Sequence, residues 1–200
     1  MLRNRSILAA GILVTVTACA STDRPQDQMA SVRQVAVEAD AAVKAGKAEL
    51  IAVNGAIQDN ASRVLGRVAV VSDPNGAGLI VRVALRDFRP GAYGVHLHSV
   101  GRCDGPDFQT AGAHWNPTGA AHGRDNPAGA HMGDLPNVTV GSDGAGSLEF
   151  TVKGATLTTG ANPLLDADGA ALVIHAKADD YRTDPSGNSG ARVACAVLSK

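Results

Sequence analysis

The stretch that decides the fold is Gly94-Val95-His96-Leu97-His98, a short segment in which two histidines alternate with two aliphatic residues. Successive side chains of a β-strand point to opposite faces, so both imidazoles project from one face and both aliphatic side chains from the other. Such a strand can pack one face against a core and offer two ligands to one metal ion. Taken alone, the pair fits packed or surface histidines equally well.

Similar apolar runs recur along the rest of the chain, separated by clusters of Gly, Pro, Asn and Asp. Asp73-Pro74-Asn75-Gly76 and Ser142-Asp143-Gly144 are clear turns between them. The chain has 23 Gly and nine Pro against one Trp, two Tyr and three Phe, a composition that argues against a helical bundle. Short runs between tight turns predict an all-β sandwich or barrel. The eight runs lie near residues 48–56, 62–72, 79–86, 94–99, 136–140, 147–152, 171–175 and 191–198.

Length and charge narrow the class of protein further. The 200 residues fit one domain with some extra chain. With 18 Lys and Arg against 19 Asp and Glu, the formal net charge is -1. This balance excludes a basic nucleic-acid binder and an acidic disordered tail, so partners must be inferred from local sites.

Residues 1–18 are typical of a signal peptide, because a basic head with two arginines precedes a mostly apolar stretch from Ile7 to Ala18. That stretch is shorter than the roughly 20 residues that a membrane-spanning helix needs. The ending Val16-Thr17-Ala18-Cys19 resembles the bacterial lipobox, whose cysteine receives a diacylglycerol and becomes the first residue after cleavage. An ordinary signal peptide, cleaved near Ala18 or Ala20, is the alternative.

We therefore predict a signal peptide over 1–18, a lipidated N-terminus and flexible tether over 19–46, and one domain over 47–200. The tether is rich in Ala, Gln, Asp and Ser and has no sustained apolar stripe. Ser21, rather than an aspartate, follows Ala20, which by resemblance to Gram-negative lipoproteins implies the outer membrane. The expected location is the periplasm or cell envelope, and the only expected membrane contact is a lipid at Cys19.

The histidines concentrate around one long loop between two predicted strands. Residues 101–135 are rich in Gly, Pro, Asp and His, and the segment far exceeds the usual connection of about 4–6 residues. Within it, His122, His131 and Asp134 form a ligand set suited to tetrahedral zinc, and His114 is the obvious fourth ligand. The six histidines of the chain are His96, His98, His114, His122, His131 and His175.

Five segments, in order, resemble the copper/zinc superoxide dismutase family over about residues 49–198. The resemblance implies an all-β fold, an eight-stranded antiparallel Greek-key β-barrel or sandwich with long metal-binding loops. The segments are Gly94-Val95-His96-Leu97-His98, Ala111-Gly112-Ala113-His114-Trp115-Asn116-Pro117, His131-Met132-Gly133-Asp134-Leu135-Pro136-Asn137-Val138, Val173-Ile174-His175-Ala176-Lys177-Ala178-Asp179-Asp180 and Gly187-Asn188-Ser189-Gly190-Ala191-Arg192-Val193-Ala194-Cys195.

The resemblance also implies one copper and one zinc ion per subunit, with His114 bridging them through both ring nitrogens. Asp179 would link His96 to His122 and fix their ring orientations; without the resemblance it is an ordinary loop carboxylate. The implied copper ligands are His96, His98, His114 and His175, and the implied zinc ligands are His114, His122, His131 and Asp134.

The implied activity is that of a superoxide dismutase, an antioxidant oxidoreductase whose substrate is the superoxide anion. The enzyme disproportionates superoxide to dioxygen and hydrogen peroxide by Cu(II)/Cu(I) cycling, with zinc organising the bridging histidine. His114 would supply a proton. Arg192 would guide the anion, because its permanent charge and fork of donors suit that task; a surface salt bridge is the alternative for this arginine.

Three cysteines complete the pattern. With Cys19 assigned to lipid, Cys103 and Cys195 remain as one pair. In the family the matching cysteines form a disulfide that ties the metal loop to the last strand, and such a bond needs an oxidising compartment.

Three other classes compete with the dismutase interpretation. A structural lipoprotein would have little reason to concentrate all six histidines and Asp134 in metal-ligand spacing. A noncatalytic member of this fold could buffer copper or zinc in the periplasm, but such relatives lack a copper ligand or the arginine, and this sequence lacks neither. A secreted hydrolase would need a nucleophile motif such as Gly-x-Ser-x-Gly, which is absent. The sequence leaves open whether the protein is a monomer or a homodimer.

Overall fold

The computed structural model describes residues 52–199, so the predicted signal peptide, Cys19 and the tether lie outside the described residues. Residues 52–199 form nine strands and one 3-10 turn, with no α-helix, and therefore no helix in this range could span a membrane. The strands are β1 (Ala52–Gln58), β2 (Val64–Ser72), β3 (Gly78–Leu85), β4 (Gly91–Tyr93), β5 (Val95–His98), β6 (Val138–Val140), β7 (Gly146–Lys153), β8 (Ala170–His175) and β9 (Arg192–Leu198).

All strand pairs are antiparallel, in the order β4-β6-β7-β3-β2-β1-β9-β8-β5. The two edge strands, β4 and β5, are consecutive in the chain and are separated only by Gly94, so the sheet nearly closes into a barrel. Strand β3 pairs with β7 instead of β4, so the chain crosses over between β3 and β4 in the Greek-key manner. The all-β antiparallel fold predicted from the sequence is confirmed.

The ninth strand arises from one interruption. Residues 91–98 form a single extended segment that Gly94 divides into β4, which pairs with β6, and β5, which pairs with β8. A Cβ at Gly94 would lie 3.0 Å from the Cβ of Ser189, and the Gly94 N–H donates to the Lys177 carbonyl at 2.8 Å. The switch in partners therefore takes place where the 176–191 loop comes too close for a larger residue.

The interior of the barrel is filled by aliphatic side chains. Strand β3 shows the alternation most clearly, since Leu79, Val81, Val83 and Leu85 are at most 1% exposed. Burying one such side chain contributes about 1.5–3 kcal/mol. This packed barrel supports two long connections between strands.

These connections are residues 99–137, between β5 and β6, and residues 176–191, between β8 and β9. The first contains only the 3-10 turn Gln109–Ala111, as expected for the predicted long loop. A disulfide joins Cys103 in this loop to Cys195 in β9, 92 residues apart in sequence, which confirms the predicted pair.

Candidate metal centre

Strand β5 places the long loop because one of its edges has no neighbouring strand. The backbone of Leu97 bonds to Gly133 and Trp115, with the Leu97 N–H donating to the Gly133 carbonyl at 2.9 Å and its carbonyl accepting from Trp115 at 2.8 Å. The Leu135 N–H donates to the Val95 carbonyl at 3.2 Å. These bonds bring residues 114–135 over the histidine face of β5, where both imidazoles are 0% exposed.

The first cluster of imidazoles contains every residue that the sequence assigned to copper. One ligand nitrogen from each residue lies within 4.8 Å of all the others. None of these four nitrogens has a hydrogen-bond partner among the described residues, although all are buried. They are His96 Nδ1, His98 Nε2, His114 Nε2 and His175 Nε2.

The opposite ring nitrogens explain why these four point inward. His98 Nδ1 donates to the Gly112 carbonyl at 2.9 Å, and His175 Nδ1 donates to the Gly190 carbonyl at 3.2 Å. Since a carbonyl only accepts, each ring carries its proton on that nitrogen and keeps a lone pair on the other. Buried polar atoms almost always have partners, so converging lone pairs of this kind fit a cation.

The second cluster contains every residue that the sequence assigned to zinc. The Nδ1 atoms of His114, His122 and His131 lie 2.9, 3.0 and 3.2 Å from Asp134 Oδ1. The other carboxylate oxygen, Oδ2, accepts the Gly123 and His131 N–H groups at 2.9 and 3.0 Å. Three imidazoles and one oriented carboxylate form a complete tetrahedral ligand set for zinc.

His114 belongs to both clusters, because its Nε2 lies in the first and its Nδ1 in the second. The ring is 8% exposed, and its centroid is 4.0 Å from that of His96 and 5.4 Å from that of His131. The arrangement allows one imidazole to serve two cations at once.

Asp179 forms a hydrogen bond with one histidine of each cluster. Its side chain is 0% exposed, and it accepts from His96 Nε2 at 2.7 Å and from His122 Nε2 at 3.0 Å. Because each ring donates from Nε2, Nδ1 of each is left to face its cluster. The structure therefore brings Asp179 to the place between His96 and His122 that the resemblance implies.

Sequence reasoning missed the residues that hold Asp179. Asn137 Oδ1 accepts the Asp179 N–H at 2.8 Å, and Asn137 Nδ2 donates to the Asp179 carbonyl at 3.0 Å. The Tyr181 N–H donates to Asp179 Oδ1 at 2.6 Å. A side chain at Gly187 would collide with the Asp179 carboxylate. Asn137 and Gly187 stand inside segments that carry the family resemblance, but neither has a side chain that binds metal, so no chemical signal marked them.

Burial sets the protonation state of the first cluster. It lowers the pKa of His98 to about 2, of His175 to about 3 and of His114 to about 4, and neighbouring positive charge adds to the effect. Burial also lowers the pKa of His96, although its hydrogen bond to Asp179 opposes this. These imidazoles are therefore neutral at physiological pH, as metal ligands must be.

The second cluster has the opposite electrostatics. Burial alone would lower the pKa of His122, but its hydrogen bonds to Asp134 and Asp179 outweigh that and raise it to about 9. Burial alone would raise the pKa of Asp134 and Asp179, but the hydrogen bonds from the histidines hold both well below their usual range. Two carboxylates thus face His122, and their negative charge favours a bound cation in this cluster.

Arg192 lies beside the first cluster. Its Nη1 donates to the Phe108 carbonyl and its Nη2 to the Gly112 carbonyl, each at 2.7 Å, and Gly112 also accepts from His98. Within residues 52–199 no carboxylate oxygen lies within 4.0 Å of this guanidinium, so it forms no surface salt bridge there. One carbonyl thus links the arginine to a histidine of the first cluster.

Residues 64–198 match the family model described as copper/zinc superoxide dismutase. The chain is 43% identical over 130 residues to the superoxide dismutase-like protein YojM of Bacillus subtilis, covering 64% of this chain and 66% of that protein. It is 41% identical over 140 residues to the superoxide dismutase [Cu-Zn] of Caulobacter vibrioides, covering 66% and 77%. A crystal structure of a double mutant of a SOD-like protein from Bacillus subtilis superposes with a TM-score of 0.70 at 38% identity, covering 74% and 97%.

Proposed function

The chain belongs to the copper/zinc superoxide dismutase family, and we propose that it converts two superoxide anions and two protons into dioxygen and hydrogen peroxide in the cell envelope. The observation that carries this proposal is the set of four buried ring nitrogens in the first cluster, none with a hydrogen-bond partner among the described residues, next to the three imidazoles gathered around Asp134. Four converging lone pairs fit one cation, and three imidazole nitrogens within 3.2 Å of Asp134 Oδ1 fit a second cation, beside which the carboxylate supplies negative charge.

The first cluster would hold copper and the second would hold zinc, with His114 shared. When bound, copper supplies one-electron chemistry between Cu(II) and Cu(I), whereas zinc supplies a fixed positive charge and geometry without redox chemistry. The donor types support this assignment, since a site of four imidazoles suits copper and a site with three imidazoles and a carboxylate suits zinc.

His114 is the residue that moves a proton. Its Nε2 faces the first cluster, so a proton held on that atom lies where the substrate is reduced. Its Nδ1 lies 2.9 Å from Asp134 Oδ1, and this contact keeps the ring in place while Nε2 gains and loses the proton.

Arg192 orients the anion. Its two hydrogen bonds to backbone carbonyls fix the guanidinium plane, and its remaining N–H groups can donate to a small anion beside the first cluster. With a net charge of -1, the whole chain does not attract superoxide, so the local field of the arginine and the two cations must do so.

The location of the protein is a second part of the proposal. The basic head, the apolar stretch and the lipobox-like ending at Cys19 favour export and lipid attachment. The disulfide between Cys103 and Cys195 supports an oxidising compartment. Mass spectrometry of the mature N-terminal peptide tests this point: we expect a diacylated Cys19, whereas an unmodified N-terminus at another residue would contradict it.

The activity is tested on the purified domain after reconstitution with copper and zinc, with metal content measured for every sample. His175→Ala removes a residue of the first cluster only, and His131→Ala removes one of the second only. We expect fast dismutation by the parent, and loss of both copper and activity with zinc retained in His175→Ala. If the parent bound both metals tightly but did not dismutate superoxide, the protein would have the dismutase fold and bind metals without being an enzyme.

A further inference from the structure

Tyr181 contacts three segments around the second cluster. These are the zinc-side loop (residues 121–135), the segment leading into β6 at Asn137, and the rest of the β8–β9 loop (residues 176–191), which supplies Asp179. The role of this residue follows from its backbone and its side chain taken separately.

The Tyr181 backbone forms hydrogen bonds with two of the segments. Its N–H donates to Asp179 Oδ1 at 2.6 Å, within the β8–β9 loop, and its carbonyl accepts from the Asp125 N–H at 3.0 Å, in the zinc-side loop. The φ angle of 62° puts the residue in the left-handed region, which is uncommon for a residue other than glycine.

The Tyr181 side chain forms a hydrogen bond with the third segment. The Tyr181 hydroxyl accepts the Asn137 N–H at 2.8 Å, and the amide side chain of Asn137 bonds to both the N–H and the carbonyl of Asp179. The guanidinium of Arg124 lies 3.8 Å from the centre of the tyrosine ring, on the zinc-side loop. Tyr181, Asn137 and Asp179 thus form a closed ring of hydrogen bonds.

This ring of hydrogen bonds matters because Asp179 divides its two oxygens between rings of different clusters. Oδ2 accepts from His96 and Oδ1 from His122. A small rotation of the carboxylate would lengthen both bonds together and release both imidazoles from their orientation. Ligand orientation at this precision requires support behind the residue that contacts the ligand.

We propose that Tyr181 is a positioning residue for both metal sites, which acts by holding the Asp179 carboxylate between His96 and His122. The assignment rests on the proposed function, because it presumes that the two clusters bind metal. Among the described residues Tyr181 forms no hydrogen bond with a member of either cluster, so its effect on the metal sites passes through Asp179 and Asn137.

The test compares Tyr181→Phe with Tyr93→Phe. The matched control also loses a hydroxyl engaged in one backbone contact, since Tyr93 donates to the Arg89 carbonyl at 2.8 Å, and that contact involves no residue of either cluster and neither Asp179 nor Asn137. The first measurement is the zinc dissociation constant by chelator competition. We expect Tyr181→Phe to weaken zinc binding about threefold to tenfold, below the loss of about 10–100-fold seen when a direct partner of a ligand is removed. The control should match the parent.

The second measurement needs no metal and no activity. The Nε2 protons of His96 and His122 are followed by NMR in the metal-free protein, where their bonds to Asp179 protect them from exchange with water. Exchange should be faster in Tyr181→Phe and unchanged in Tyr93→Phe, a signature that general loosening of the fold would not confine to these two rings. Asn137→Ala, which removes both side-chain bonds to Asp179, should move both readouts further in the same direction.

Equal zinc affinity and equal proton exchange in Tyr181→Phe and Tyr93→Phe would overturn the inference. A parent that binds zinc tightly but does not dismutate superoxide would overturn the proposed function alone, because neither readout depends on turnover. If the parent bound no zinc, the proton exchange would still decide whether Tyr181 holds Asp179.

Discussion

The barrel and the loop cluster that covers it are held together by different forces. In the barrel, side chains such as Leu79 and Val81 are 0% exposed and pack against many apolar neighbours, so no single contact decides the structure. In the cluster, the buried groups are imidazoles and carboxylates, and each is oriented by one or two hydrogen bonds, as for Asp179 between His96 and His122. Stability and chemistry therefore reside in separate sets of residues and can be changed separately.

Removing the disulfide that links the loop cluster to the barrel should give the largest change in the free energy of unfolding. Replacing Cys103 and Cys195 by serine removes a cross-link between residues 92 apart in sequence, worth on the order of 4–5 kcal/mol in the chain-entropy model. We expect the free energy of unfolding of the oxidised parent to exceed that of the double variant by about this amount in urea titrations. Equal stability of the two proteins would show that hydrogen bonds alone hold the loop to the barrel.

A cavity in the barrel should lower stability and spare the chemistry. Leu79→Ala removes a fully buried side chain on β3, and such changes cost about 2–5 kcal/mol. We expect a lower melting temperature together with unchanged zinc and copper stoichiometry at 25 °C. Loss of metal from the folded variant would mean that the two regions are coupled more closely than their contacts indicate.

A change in the loop cluster should weaken metal binding and spare the stability of the barrel. Asp179→Asn keeps the volume of the side chain, but the neutral amide has only one oxygen and cannot accept hydrogen bonds from both imidazoles. We therefore expect zinc binding to weaken about 10–100-fold, as for other partners of metal ligands. The matched control is Asp180→Asn, an exposed neighbour whose carboxylate contacts Thr183 and Asn188. Chelator competition measures both variants, and equal affinities would contradict a special role for Asp179.

The smallest expected effect concerns substrate alone. Arg192→Lys keeps the charge but loses the fork of donors, so we expect dismutation to slow about tenfold, the equivalent of one charged hydrogen bond of about 1.5 kcal/mol. Metal content should stay the same. Arg86→Lys is the control, because Arg86 is an exposed arginine that also donates to a backbone carbonyl, that of Val64. A similar loss in both variants would indicate general electrostatics, not the position of Arg192.

The sequence predicted the barrel well because its strands alternate and its turns are marked by Gly, Pro, Asn and Asp. Seven of the eight predicted runs overlap strands closely, and the first, near 48–56, is observed from Ala52 to Gln58 with residues before 52 outside the described range. The short strand Gly91–Tyr93 was not predicted, since three residues with a glycine at one end carry no alternation.

The candidate ligands could also be found from the sequence, because histidine and aspartate bind metal through their own side chains. The residues that orient them could not. Asn137 acts through an amide that pairs with a backbone 42 residues away, and Tyr181 acts through a hydroxyl that accepts a backbone N–H. Such contacts depend on the path of two loops in space, which no local pattern encodes.

The most direct test of two adjacent metal sites is a crystal structure of the protein loaded with copper and zinc, with anomalous scattering recorded at the absorption edge of each metal. We predict copper among His96, His98, His114 and His175, zinc among His114, His122, His131 and Asp134, and His114 in contact with both. A single metal ion, or a metal bound elsewhere with either cluster empty, would contradict the account.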